Sequence, residues 1–369
     1  LEVRVIEYDD FEPLREFWPS LLGASSAKDN IFLTWEWLST WWKHNGHGKR
    51  LLILLVEDEG RSIAAAPLML TKQKVGGFGL TRRIEFVGKP DSDYHNILMV
   101  NKETECVRLI LEHLVEHYGF DWISLSELPD PTVGHLRGLM PRLLGKLNAT
   151  ERVCEICPFL TLPKTFDQLT CGYDRGWLRE LNRRFRKMAK EHRVEMKRYD
   201  EIGFTVDEAM DALARLHQAR WIAKGMKGHF KDASFYRFHS DLAASFARKG
   251  WLAFYFLTAD GEPVSAEYGF EMGNKLYAYL SGTDPEYRRY AVGKLHTMQV
   301  IDDCIKRGFA EYDFLRGDEP YKFQFTSSYR TNYEVVLTNR GVKNLLYDCD
   351  RAVNMAKVRL RGLLGIMNI

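Results

Sequence analysis

Apolar and polar positions change period along the chain, and each change marks an element. Residues 1–8 alternate with a period of two, as a half-buried strand does. Residues 11–22 and 34–44 repeat at helical spacing. Thr34 stands where it would cap the second of these helices, and Trp35, Leu38, Trp41 and Trp42 share a face. Residues 50–56 and 61–71 read as strands joined at Glu59-Gly60, a hairpin signal. Short strands over 83–87 and 97–100 flank a polar loop. A helix over 103–117, a strand over 121–127, a helix over 133–147 and a strand over 153–162 complete the first half.

Residues 163–173 look like a connection. A helix is predicted over 175–190, with Leu178, Leu181, Phe185 and Met188 as its buried stripe. A strand over 194–199 follows. Thr205-Val206-Asp207-Glu208 resembles a capping box that opens a helix running to Trp221, and a further helix covers 232–248. Three strands come next, with tight turns at Asp260-Gly261 and Gly273-Asn274. The final helix, over 342–364, carries Leu345, Cys349, Ala352, Ala356, Leu360 and Leu363 on one side.

The two halves repeat a plan of strand, two helices, a strand pair joined at an acidic-Gly turn, strand, helix, strand. Residues 50–71 and 251–270 carry the similarity, which predicts a duplicated α/β (α+β) domain with mixed sheets, divided as 1–165 and 166–369. A length of 369 residues suits two cores. Six cysteines in such a chain form no disulfide framework, and Cys154-x-x-Cys157 has no second pair of matching spacing, so thiols rather than a metal site are expected. No apolar run approaches the roughly 18 residues of a membrane span, and no basic-then-apolar leader opens the chain, so a cytoplasmic protein is expected. Net charge is +2, unevenly spread: residues 175–198 hold ten basic and three acidic side chains, and residues 340–369 six and two. These basic helices are solvated faces or surfaces for an anionic ligand or, peripherally, a membrane; no DNA partner is expected.

The stretch 251–329 carries the chemistry. Its hairpin sheet ends at Arg288-Arg289-Tyr290-Ala291-Val292-Gly293-Lys294, a small-residue turn that opens a helix. Free amides and the positive end of the helix dipole meet at such a turn and suit a diphosphate. Arg288, Arg289 and Lys294 add positive charge, and Gly293 permits close backbone approach. Tyr279 and Ser281 lie on the strand that leads there, whose free edge would pair with a peptide-like pantetheine arm.

This segment resembles the acetyl-CoA motif of the GNAT superfamily, Arg/Gln-x-x-Gly-x-Gly/Ala, here Arg288-x-x-Ala291-x-Gly293 with alanine in place of the first glycine. More narrowly, the chain is similar over residues 32–331 to CelD/BcsL-like (cellulose-biosynthesis-type) acetyltransferases, relatives of Fem-type aminoacyltransferases with two GNAT folds. The resemblance rests on Asp93-Tyr94-His95-Asn96, on residues 217–225 with Trp221, on residues 289–295, and on Asp313-Phe314-Leu315-Arg316-Gly317 followed by Tyr321-Lys322. It implies two tandem GNAT-like domains. The second takes acetyl-CoA through Tyr279, Ser281, Arg288, Arg289, Ala291, Val292, Gly293 and Lys294. The first has lost donor binding and helps form the acceptor cleft. The implied activity is N- or O-acylation of a sugar, nucleotide-sugar or cell-envelope precursor. Fem-like transfer from aminoacyl-tRNA, or a degenerate partner of polysaccharide synthesis, are the alternatives.

Acyl transfer needs a base, an oxyanion donor and an acid for the leaving thiolate. Glu267 is either the base or a solvent-facing strand residue. Asp313 is a base or a structural acceptor holding the Arg316-Gly317 turn, and His296 a base or a helix-surface histidine. Tyr321 is a candidate acid; Lys322 is a candidate for the oxyanion or for an acceptor phosphate; a surface turn is the other reading of both. Asp93, Tyr94 and His95 suit hydrogen bonding to a sugar or peptide end, unless they form a solvated loop. Trp35, Trp37 and Trp221 suit stacking on a sugar face or simple core packing.

Overall fold

The structure, a computed structural model, describes residues 4–74, 80–143 and 147–339; the helix expected over 342–364 lies outside them. The chain divides into two compact units, one of Leu1–Ile156 joined by the segment that begins at Arg330, the other centred on Cys157–Tyr329.

The first unit contains β1 (Arg4–Tyr8), α1 (Trp18–Ala24), α2 (Trp35–Asn45), β2 (Arg50–Asp58), β3 (Arg61–Lys74), β4 (Leu80–Phe86), β5 (Leu98–Met99), α3 (Glu103–His117), β6 (Trp122–Leu128), α4 (Asp130–Leu143) and the start of β7 (Leu147–Thr161). Its strands are ordered β1-β2-β3-β4-β6-β13, where β13 is Tyr329–Asn339, with β7 next to β13, and β5 pairs with β3. Neighbours from β1 to β13 are antiparallel except β4 and β6, which run parallel over three pairs, from Arg83↔Trp122 to Glu85↔Ser124. Leu52, Leu54, Ala64, Ala66, Ile84 and Ile123 alternate inward to meet Val107, Ile110 and Leu114 of α3.

The second unit contains α5 (Phe166–Cys171), α6 (Arg175–Glu191), β8 (Val194–Arg198), α7 (Tyr199–Ile202), α8 (Val206–Ile222), α9 (Ala233–Lys249), β9 (Leu252–Ala259), β10 (Glu262–Met272), β11 (Lys275–Thr283), α10 (Val292–Lys306) and β12 (Glu311–Asp313). Its strands are ordered β8-β9-β10-β11-β12, with the end of β7 beyond β12. Again a single neighbouring pair, β11 and β12, is parallel, over Lys275↔Glu311 to Tyr277↔Asp313. A parallel pair needs a crossover, and α10 supplies it.

Local chemistry explains the elements the pattern anticipated. Thr34 caps α2 by accepting from the Trp37 amide, and Thr205 with Glu208 forms the expected capping box. The Glu59-Gly60 turn has φ of 51° and 75°, the Asp260-Gly261 turn 56° and 92°. Two left-handed residues match the twist of the flanking strands. Both hairpins also carry an irregularity two residue pairs beyond the turn, between Val56 and Glu57 in the first and between Pro263 and Ser265 in the second.

Elsewhere tertiary context moved the boundaries. The helix expected to 147 ends at Leu143, and β7 starts at Leu147 rather than 153. The expected connection over 163–173 contains α5, capped by Thr165. On α2 the buried tryptophans are Trp37 and Trp41, whereas Trp35 and Trp42 are half-buried.

Candidate active site

In the second unit β11 and β12 separate after Tyr277↔Asp313. The six residues Ala278–Thr283 continue β11 with no strand partner on that side among the described residues. A short turn at Pro285–Tyr290 then leads into α10. Ala291, the residue before α10, adopts φ 57° and ψ 39°, and no side chain caps the helix. Its first amides therefore point into the turn without a partner from a side chain. A left-handed residue is where glycine is favoured, which is the conformational reason for a glycine at this place in the motif; alanine adopts it at a cost of about 1 kcal/mol.

The predicted donor residues divide by role. Val292 is buried, so only its amide is offered to the turn. A Cβ added at Gly293 would stand 3.3 Å from the Thr283 methyl, so a side chain there would crowd the free end of β11. Arg288 is exposed and Lys294 half-buried. Arg289 is held by Glu191 of α6 at 2.9 Å, and Tyr290 donates to the same carboxylate. Tyr279 turns to the other face, against His239 and Phe270, and the Ser281 hydroxyl accepts from Arg220 Nη1 at 3.1 Å.

Glu267 lies on β10, the strand beside β11. It is buried, which rules out the solvent-facing reading. The Tyr312 hydroxyl donates to Oε1 at 2.5 Å, and Thr297 on α10 donates to Oε2 at 3.4 Å. Burial pushes its carboxyl up to about 7, against the pull of these two hydrogen bonds. Two residues earlier, Ser265 meets Nδ1 of His296 at 2.9 Å. His296 is buried, not on the helix surface as one reading had it, and burial holds its imidazole down at about 3. It stays neutral, with Nε2 lacking a protein partner.

Asp313 is buried and Oδ1 accepts from the Leu315 amide at 2.8 Å, the geometry of a turn-holding acceptor. Leu315 has φ 59° there. Lys322 is 4 % exposed, which overturns the surface-turn reading. Its ammonium donates to the carbonyls of Leu315, Arg316 and Gly317 and pairs with Glu319 at 2.9 Å. Tyr321 packs on the core, and burial with the Glu319 carboxylate raises its hydroxyl, opposed by Arg220 and reinforced by Glu267. A phenol so placed keeps its proton at neutral pH. Trp221 donates to His217 Nε2 at 2.8 Å on α8. Burial, then His229 and Arg220, hold the His217 imidazole down at about 4.

Asp93, Tyr94 and His95 belong to the first unit. Asp93 and His95 are buried, so the solvated-loop reading does not hold for them. The Asp93 carbonyl accepts from Asn332 at 2.8 Å, His95 Nδ1 contacts the Ser126 carbonyl at 3.1 Å, and its ring stacks on Phe86. Trp37, in the core, donates to Ser92 at 2.8 Å, and the half-buried Trp35 to the Phe11 carbonyl at 2.9 Å. Sequence reasoning missed Tyr312, Thr297, Ser265 and Arg220. Tyr312 was in view as the middle of Glu311-Tyr312-Asp313, on the strand face opposite Asp313; the other three carry no local signal.

Among the described residues no group of three or more His, Cys, Asp or Glu could hold a metal ion, and no helix is long and apolar enough to cross a membrane. Residues 178–323 match the acetyltransferase (GNAT) domain family. No curated protein matches the chain. Solved structures do. FemX aligns at TM-score 0.60 and 11% identity over 90% of this chain and 96% of its own. A tandem GNAT protein from the clavulanic acid biosynthesis pathway aligns at 0.51 and 11% over 92% and 99%. The C-terminal domain of a putative lysylphosphatidylglycerol synthetase from Agrobacterium fabrum aligns at 0.51 and 11% over 92% and 96%. Such identities speak for the fold alone. The fold is the GNAT fold, and the acetyltransferase domain matched within the second unit supports an acyltransferase.

Proposed function

We propose that the second unit takes acyl-CoA, with acetyl-CoA as the ordinary donor, and passes the acyl group to an amine or hydroxyl of a sugar, nucleotide-sugar or cell-envelope precursor, in the manner of the CelD/BcsL-like enzymes. One observation carries this reading. The free edge of β11 runs directly to an uncapped helix start flanked by Arg288 and Lys294, and a buried carboxyl of elevated pKa sits one strand away.

The residues present suit such a donor. The main chain of Ala278–Thr283 offers the pairing groups that an amide-containing arm needs. The amides at the start of α10, with Arg288 and Lys294, suit a diphosphate. When bound, acyl-CoA supplies a thioester. Glu267, near half-ionised at neutral pH, accepts the acceptor's proton as the new N–C or O–C bond forms. Tyr312 orients its carboxylate. As the C–S bond breaks, the Tyr321 hydroxyl supplies a proton to the sulfur. Asp313 and Lys322 hold the Leu315–Gly317 turn that precedes Tyr321 in the chain. Trp221 is the proposed acceptor contact in this unit.

Calorimetric titration with acetyl-CoA tests this. The wild type should bind one equivalent and Gly293→Glu none; a wild type that takes no acetyl-CoA, or a variant that binds as well, would count decisively against the reading.

A further inference from the structure

The C-terminal end of α8 gathers positive charge, and among the described residues the acid that acts on it, Glu319, is shared with Lys322. Arg220 reaches β11, where it donates to the neutral Ser281 hydroxyl at 3.1 Å. Lys224, just past the helix end, lies over the Trp221 ring at 5.5 Å. Lys224 is exposed, yet partial desolvation, then the charges of Arg220 and Arg288, hold its ammonium below the ordinary value, with Glu319 pulling the other way. That glutamate is itself taken by Lys322 at 2.9 Å. Three cations within electrostatic reach of one another repel unless an anion joins them.

We infer that Arg220 and Lys224 receive a phosphate group carried by the acceptor. The inference rests on the acyl-transfer reading and deepens it, since it makes the acceptor a phosphorylated or nucleotide-linked molecule. The donor carries phosphates too, and Arg288 belongs to the donor turn. Arg220, however, acts electrostatically on Tyr321, which in turn feels Glu267. An anion held by Arg220 is thus tied to the proton-transferring groups rather than to the far end of the donor. Trp221, half-buried beside Lys224, offers an aromatic face for the sugar next to that phosphate.

The test titrates inorganic pyrophosphate calorimetrically into the full chain saturated with CoA. Pyrophosphate should bind with CoA in place, more weakly as salt rises. Arg220→Gln and Lys224→Gln should each weaken it roughly tenfold while CoA affinity stays within about twofold. Displacement of CoA by pyrophosphate, or an equal loss of CoA affinity in the variants, would assign the cluster to the donor and overturn the inference. So would a protein that takes CoA but no pyrophosphate. A protein that takes neither overturns the acyl-transfer reading itself, and this inference with it.

Discussion

The two units build the same hairpin, parallel pair and crossover helix, yet place opposite chemistry on the same positions. Counting from the two hairpin turns, Ala64 and Ala66 of β3 stand where β10 has Ser265 and Glu267. Counting along the parallel pairs, Ile123 stands where β12 has Tyr312. Lys102 before α3 is left-handed, φ 50°, as Ala291 is before α10, and neither helix has a side-chain cap. Counting on from these, Val107 stands at His296. Ala64, Ala66, Val107 and Ile123 are all apolar core. The first turn of α3 holds Glu103 and Glu105, that of α10 Lys294. An anion is repelled from one helix start and drawn to the other.

The connections differ as well. β11 runs on for six residues past its last parallel pair, whereas β4 stops one residue after Glu85. The chain that follows β4 is taken up by Ser92, Asp93 and His95, all buried. A shared backbone plan is therefore no evidence of a shared site. The proposed donor site is a matter of what the connection leaves open and which sign of charge surrounds it.

The largest effect should come from making β10 resemble β3. Glu267→Gln is expected to lower turnover roughly 10²- to 10⁴-fold and to abolish a rise of rate with pH centred on about 7. The same change has a stability signature. The folded state keeps the Glu267 proton up to about 7 and the unfolded chain releases it near 4.5. Stability should thus fall as pH rises through that window, by on the order of 3 kcal/mol, and the Gln variant should lack this fall in denaturant titrations. An unchanged pH–rate profile would remove Glu267 as the base.

Next, Gly293→Glu gives α10 the acidic first turn of α3, and acetyl-CoA affinity should drop about a hundredfold or more by calorimetry. Retained affinity would break the comparison at its centre. In the first unit, Gly88→Ala places a Cβ 2.2 Å from the Ser92 hydroxyl at φ 102°. Unfolding should become easier by roughly 2–4 kcal/mol, while acetyl-CoA affinity is unchanged; a parallel loss of affinity would show that the first unit contributes to the donor site. The smallest effect is expected of Ala291→Gly, which removes the left-handed strain. Thermal unfolding should show a gain of about 0.5–1 kcal/mol, with acetyl-CoA binding retained. Destabilisation would mean that the left-handed alanine carries no such cost.

Much of this was legible in the sequence because it is decided locally. The cap at Thr34, the box at Thr205 and the hairpin turns are contests between neighbouring groups, and each appears as expected. The helix start after Ala291 was visible for the same reason. Partnerships were not legible. Tyr312 lies 45 positions from Glu267, and Arg220 lies 61 from Ser281. No periodicity records which side chain will face which across a sheet. Solvent exposure of single polar residues was equally hidden, as His296, Lys322 and His95 show, because burial of a loop or helix face depends on what packs over it.

By itself the sequence determined the alternation of elements, the duplicated hairpin and the place of a basic, glycine-bearing helix start, since these follow from short-range sterics, capping and hydrophobic period. Only the tertiary structure decided that β11 outruns β12, that Glu267 is desolvated beneath Tyr312, and that the segment from Arg330 joins the first unit. Strand pairing and burial are properties of residues brought together from far apart, and their energies exist only once the chain has closed those distances.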